Sequence, residues 1–219
     1  MRIVTLPGVF SPISDTWLLA GALAEEVGAG RCSVLDVCTG SGALAVTAAR
    51  RGAEAVTAVD VSRRAVLTAR LNARLNGVRV RAVRSDLFAA LGAARFDVIV
   101  SNPPYVPAPS DALPTRGPAR AWDAGRDGRV VIDRLIREAP AHLRPGGVLL
   151  MVHSDICGID ASLAGMRDAG LEPDVAARRR GPLGPLMRAR VRHLEDHALL
   201  EPGARDEDVA VLRGQATGA

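Results

Sequence analysis

Four short stretches carry residues that could bind or react. VLDVCTGSGALA, residues 34–45, runs from an apolar segment into Gly40, Ser41 and Gly42 and then into a helical pattern. Glycines there let backbone approach a ligand closely, and a helix start presents free N–H groups to it. Gly40, Gly42 and Ala45 also satisfy the dinucleotide pattern G-x-G-x-x-[GA], so the loop alone leaves the ligand open. Asp60 closes the run AVTAVD, where a carboxylate can accept from two vicinal ribose hydroxyls or simply cap the next helix. Asp86, in SDLF, follows the next apolar run and could accept the exocyclic amine of an adenine, with Leu87 against its ring. Three successive strand ends that offer a Gly-rich loop, a ribose acid and an adenine acid describe an adenosine site. The fourth stretch, SNPPYVPAP at residues 101–109, ends the apolar run FDVIV with Asn102, Pro103, Pro104 and the only tyrosine of the chain, Tyr105, read as an exposed ring.

The elements that must position these residues alternate along the chain. DTWLLAGALAEEVG reads as a helix with Asp15 at its N-cap and Gly28 at its end. CSVLDVC, AEAVTAVD, VRVRAV, FDVIVS and GVLLMVHS read as strands, separated by helical patterns over residues 43–51, 63–76 and 127–143, with Ser62 as a cap and RPGG as a turn. This rhythm implies right-handed crossovers and a parallel sheet covered on both faces. PLMRARVRHLEDHALL places Met187, Val191, Leu194 and Ala198 at helical spacing, with its arginines on an outer face, and LEPDVAARR and EDVAVLRG add a closing pair of short strands. The expected fold is α/β, a Rossmann-like seven-stranded, mostly parallel sheet with an antiparallel last strand. With no repeat or low-complexity linker, one domain over 1–219 is expected: a covering segment and helix at 1–30, the core at 31–157, and a strand-helix-strand completion at 158–219.

Composition narrows the function. At 219 residues and 48% hydrophobic, the chain can bury a substantial core. Cys32, Cys38 and Cys157 have no paired spacing, and no stretch approaches a membrane span or an export signal, so a reduced, cytoplasmic protein is expected. The chain has no lysine, which excludes Schiff-base and Walker-type lysine chemistry. Its arginines leave a net charge of +4, read mostly as an Arg-for-Lys bias on solvent faces. ARRRG at 177–181, with Arg178, Arg179 and Arg180, is the one place where a macromolecular contact suggests itself. His193 and His197 stand four apart, but HLEDH is neither H-E-x-x-H nor H-x-x-E-H, and no metal site is expected. His153 is read as structural, and no Ser/His/Asp constellation has recognisable spacing.

Together these stretches resemble the class I S-adenosylmethionine-dependent methyltransferases, specifically the HemK-like release-factor glutamine methyltransferases, over nearly the whole chain. The resemblance implies that DVCTGSG, with Asp36, Cys38, Thr39, Gly40 and Gly42, holds the methionine part of the cofactor, and that Asp60 and Val61 hold the ribose. It implies that Asp86 and Leu87 meet the adenine, and that Asn102, Pro103, Pro104 and Tyr105 hold the nitrogen to be methylated. VFSPISDT is similar to the entry motif of the shorter branch of that family, which puts Phe10, Pro12, Asp15 and Thr16 over the cofactor. AWDAGRDG, residues 121–128, resembles the family's Gly-x-Asp-Gly loop. Two departures stand out. Cys38 replaces the first glycine of the motif, so a positive φ is not expected there, and the chain lacks the N-terminal helical domain of the bacterial enzymes.

The NPPY stretch then has a chemical meaning. An amide or aniline-like nitrogen is a poor nucleophile because its lone pair is delocalised. If the Asn102 oxygen and a carbonyl of the proline turn each accept one N–H, the lone pair is aimed at the methyl group. The prolines keep competing donors away, and Tyr105 can stack on the planar target. The expected enzyme therefore methylates a planar nitrogen, foremost a protein glutamine amide such as that of a release factor, converting S-adenosyl-L-methionine to S-adenosyl-L-homocysteine. A nucleic-acid amino-methyltransferase acting on rRNA, tRNA or DNA stands second, and a small-molecule N-methyltransferase third. A nicotinamide oxidoreductase and a non-catalytic cofactor binder stand last, since neither has a use for NPPY. The need for a small activator subunit is left open, as is the oligomeric state.

Overall fold

The apolar runs become neighbouring strands of one sheet. In the computed structural model, which describes residues 1–28 and 32–217, β1 (Ser33–Val37), β2 (Ala55–Asp60), β3 (Arg81–Arg84), β4 (Phe96–Ser101) and β5 (Leu143–Ser154) pair in parallel. β6 (Leu171–Pro182) and β7 (Asp206–Ala216) complete the order β3-β2-β1-β4-β5-β7-β6, with β7 antiparallel to both of its neighbours. The seven-stranded mixed α/β architecture is the one expected. The boundary drawn between residues 30 and 31 lies outside the described residues.

Period-two alternation sends successive side chains to opposite faces, so each central strand feeds two cores. Leu35, Val37, Ile99, Leu149 and Met151 pack on one side with α4 (Val130–Glu138) and α5 (Ile159–Asp168). Val34, Val98, Val100 and Leu150 pack on the other with α1 (Ser14–Val27), α2 (Ala43–Arg50) and α3 (Arg63–Leu75). Among the described residues no helix is long and apolar enough to cross a membrane.

Several local expectations are corrected. The N-cap of α1 is Ile13, and Asp15 lies in the first turn instead, because its carboxylate is used elsewhere. Ser62 does cap α3, accepting from the Ala65 amide at 3.4 Å. The third strand starts only at Arg81, since the Val78 amide is spent on the Ala73 carbonyl at the helix end. RPGG is a bulge within β5 rather than a turn before it: Phe96 pairs with Leu143, and Val98 next with Val148. α5 was not foreseen, although Ile159, Leu163 and Met166 carry its period. The last helix is broken into α6 (Pro185–Arg188) and α7 (Val191–Asp196), with Ala198 beyond it at φ +55°. At the break Arg190 points inward, to Asp123 at 2.6 Å and to the Pro107 carbonyl at 2.5 Å, so it is not an outer-face arginine. The closing strands are long, pairing from Leu171 with Ala216 to Pro182 with Asp206.

Gly42 sets the closeness of α2 and α3. It has φ +80°, and a Cβ there would stand 2.8 Å from both Cα and Cβ of Ala69. Gly42→Ala is therefore expected to destabilise the fold by about 2–4 kcal/mol, from left-handed strain plus overpacking. Urea denaturation checks this; an unchanged midpoint would show that the helices move apart without cost.

Candidate active site

The carboxyl ends of β1 to β4 open into a cleft of about 600 Å³. Because β3, β2, β1 and β4 are neighbours in that order, the cleft floor presents Asp86, Asp60, the Gly40 loop and Asn102 in sequence across the sheet. Four strands about 4.8 Å apart span roughly 14 Å, the scale of an elongated nucleoside ligand.

The Gly-rich loop is held from below. Asp36 is fully buried; its Oδ2 accepts from Thr39 Oγ1 at 2.5 Å and from the Ala45 amide at 3.0 Å. Its Oδ1 has no partner, and burial pushes its carboxyl up to about 7 against those two hydrogen bonds. Asp36 thus fixes the loop without lining the cleft, and it occupies a helix-start amide that the sequence offered to a ligand. Gly42 also stays off the cleft wall, its role being the helix contact. Cys38 does take a positive φ, +58°, contrary to expectation: the turn that brings the Thr39 amide to the Val59 carbonyl at 3.0 Å imposes it despite the side chain. Gly40, at φ +53° with nothing nearer to its Cβ position than 3.9 Å, is the open point of the loop.

Asp60 braces the same loop. Its Oδ2 accepts from the Gly40 amide at 3.0 Å and its Oδ1 from the Ser62 amide at 2.8 Å, which leaves each oxygen one further acceptor direction toward the cleft. Burial raises its pKa, and the two amide bonds oppose that shift. Asp86 is exposed and paired with Arg134 at 3.1 Å, and Leu87 turns into the cleft from φ +44°. Val61, Phe10, Pro12 and Thr39 also line the space.

Across the cleft, the Asn102 side-chain nitrogen donates to Thr16 Oγ1 at 3.0 Å, which turns its oxygen into the acceptor. Among the described residues no donor reaches the carbonyls of Pro103 or Pro104. Tyr105 is not the exposed ring expected. It is partly buried, and its hydroxyl donates to Asp15, which also takes Arg179 Nη2 at 2.9 Å. Burial, then the Asp15 charge, raises the Tyr105 pKa well above the usual phenol value, so it remains a donor. The loop at 121–128 zips onto this corner: the Val106 amide donates to Trp122 at 2.7 Å and the Ala124 amide to Val106 at 3.1 Å. Gly128 packs on the Tyr105 carbonyl, where a Cβ would also meet Cys157 Sγ at 2.9 Å.

Some cleft residues had no signal in the sequence. Glu207, buried and accepting from the Gly184 amide at 2.7 Å, comes from β7, far from every motif. Arg120, Trp122 and Met187 also line the cleft, Trp122 tilted against Phe10 at 6.4 Å between centroids. His153 lies away from the cleft, its Nδ1 on the Ser154 carbonyl at 2.9 Å. The rings of His193 and His197 lie 4.2 Å apart.

A sheet of this order with a ligand-length cleft at its strand ends is the architecture of a Rossmann-like methyltransferase, and comparison with known proteins agrees. Residues 1–113 match the methyltransferase small domain. A protein of Methanocaldococcus jannaschii named for N5-glutamine methylation is 34% identical over 181 residues, 83% of this chain and 90% of that one. The chain belongs to this methyltransferase family. The release factor glutamine methyltransferase of Deinococcus radiodurans is 42% identical over 174 residues, 75% of this chain but only 62% of the relative's length. For the ribosomal protein uL3 glutamine methyltransferase of Bradyrhizobium diazoefficiens the figures are 48% over 124 residues, 53% and 39%. In fold the chain is like the E. cuniculi Mtq2–Trm112 complex, with TM-score 0.66 and 24% identity over 96% of this chain and 99% of that one.

Asp36 gives the site a pH signature. A carboxyl raised to about 7 when folded, against an ordinary value near 3.8, binds its proton more tightly in the folded state. Its stabilising contribution is complete below pH 3.8 and is lost as pH rises through 7. Asp36→Asn should flatten the fall in unfolding free energy between pH 5 and pH 8; identical slopes in wild type and variant would assign the dependence to other groups.

Proposed function

We propose that this chain transfers a methyl group from S-adenosyl-L-methionine to the side-chain amide nitrogen of a protein glutamine, with a peptide chain release factor as the leading acceptor. The observation that carries this reading is one continuous cleft with the Gly40 loop, Asp60 and Asp86 on one side and an acceptor-rich corner around Asn102 on the other. The donor set fits an adenosine-bearing group: Asp60 keeps acceptor capacity beside an open glycine, and Asp86 stands one strand further out. When bound, that cofactor supplies an electrophilic methyl group.

The chain's own residues do the rest. Thr16 orients the Asn102 amide so that its oxygen accepts one N–H of the target, and a proline carbonyl accepts the other, leaving the nitrogen lone pair directed across the cleft. Tyr105, fixed by Asp15, walls the acceptor side, and Phe10 and Trp122 line the cleft beside each other as an apolar wall. The names of the relatives support a glutamine acceptor. Two of the arginines that would have served a nucleic-acid acceptor are already spent in ion pairs, Arg179 on Asp15 and Arg190 on Asp123, which weakens that alternative at this site. A cytoplasmic setting among the proteins of translation, and a small activator subunit by likeness to the Mtq2–Trm112 complex, belong to the same reading.

Calorimetry with S-adenosyl-L-homocysteine should show binding and NAD should show none, with Asp60→Ala weakening the former by about 1–3 kcal/mol. Asn102→Ala should keep that affinity within a few-fold while slowing single-turnover methyl transfer to release factor by ~10²-fold. Tight NAD binding without S-adenosyl-L-homocysteine binding, or wild-type transfer by Asn102→Ala, would overturn the assignment.

A further inference from the structure

The strongest charge asymmetry lies outside the cleft and away from the arginine triplet at 178–180. Between Asp60 and Asp86 the chain carries seven arginines and no acidic residue, although its whole net charge is only +4. All seven are exposed. Among the described residues none of them takes part in an ion pair, whereas ten other arginines do. Four of the seven converge: Arg70 and Arg74 from α3, and Arg79 and Arg81 from the segment entering β3, line one shallow groove of about 620 Å³, with Glu54 as its single lining carboxylate. β3 is the outermost strand on this side, so the groove faces solvent.

The groove is organised as well as charged. The Arg70 guanidinium is fixed by two hydrogen bonds to the Ala82 carbonyl, at 2.6 and 3.2 Å, which holds it against the strand with N–H groups to spare. Arg79 and Arg81 are two residues apart in the segment that enters β3, so their Cα atoms are at most about 7 Å apart. Arg70 and Arg74 are one helical turn apart, roughly 6 Å along the axis. Both spacings are comparable to the separation of neighbouring phosphates on a nucleic-acid strand, and guanidinium groups match phosphate with paired hydrogen bonds. Residues 54–82 contain no Phe, Trp or Tyr, so the groove offers nothing for base stacking. We propose that this groove binds the phosphodiester backbone of a nucleic-acid strand, without sequence preference, as a docking site separate from the methyl-transfer cleft. An acidic protein segment is the competing class, and it would also use the exposed Leu67, Leu71 and Leu75 of α3, which lie outside the groove lining.

Fluorescence anisotropy with labelled 20-nucleotide single-stranded RNA and DNA of mixed sequence, from 50 to 200 mM salt, tests this without any methyl acceptor or donor. With about four phosphates engaged, the log–log salt slope should be about −3. The variant Arg70→Ser/Arg74→Ser/Arg79→Ser/Arg81→Ser should lose at least tenfold in affinity at 50 mM salt, and its slope should flatten. Because Arg70 also braces β3, Arg79→Ser/Arg81→Ser is measured beside it and should remove about half of the slope at unchanged melting temperature. Arg178→Ser/Arg180→Ser should bind as wild type does, and the RNA and DNA arms tell which strand is preferred. No binding at 50 mM salt, a slope unchanged in both groove variants, or displacement of the strand by poly-L-glutamate at equal charge concentration would overturn the proposal.

Discussion

The buried carboxylate of Asp15 is where the cleft is closed. It sits in the first turn of α1, accepts the hydroxyl of Tyr105 from the corner after β4, and pairs with Arg179 from β6. Tyr105 and Arg179 stand 90 and 164 residues from Asp15 in the chain, so the contact ties the amino-terminal segment to both the acceptor corner and the antiparallel end of the sheet. Ser14 Oγ also donates to Asp15 at 3.1 Å, but removing Tyr105 or Arg179 would take away one of its two long-range partners and leave a buried carboxylate short of a donor. That cost is larger than the cost of leaving an exposed pair incomplete, which makes the junction all-or-none. Phe10, Pro12 and Thr16 are held over the cleft by the segment that this junction anchors.

The second constraint is the sheet order. Strands that are not consecutive in the chain are adjacent in space, so the residues that end β3, β2, β1 and β4 fall in line as Asp86, Asp60, the Gly40 loop and Asn102. The loop is kept rigid at some expense. Cys38 holds a left-handed conformation without being glycine, and Asp36 keeps one buried oxygen unpartnered beneath it. Both are local violations of good packing, and both lie in the loop that builds the cleft, although Ala198 also takes a positive φ away from it.

Much of this was legible in the sequence because apolar runs of five or six residues between helical patterns leave little choice but a parallel sheet, and Asp60, Asp86 and Asn102 each end such a run. The rest was hidden for particular reasons. Asp36 reads as a ligand residue because it adjoins the glycines, yet its strand position turns it inward, and Gly42 reads the same way although its neighbour is Ala69. Tyr105 looked exposed because its partner Asp15 is remote in the chain. Glu207 reaches the cleft, and Arg179 reaches Asp15, through the long pairing of β6 with β7, which no local pattern announces. The last helix was overextended because its apolar spacing is real, while the break is made by the tertiary contact of Arg190 with Asp123.

Methyl transfer to a glutamine amide leaves a mark that no other acceptor class can produce. Purified release factor, incubated with the chain and S-adenosyl-L-methionine carrying a deuterated methyl group, can be digested and read by tandem mass spectrometry. The expected result is a single labelled methyl group on the side-chain nitrogen of one glutamine, absent when the chain is omitted. Label found only on arginine, on a nucleobase in an RNA-containing control, or on no macromolecule at all would contradict it.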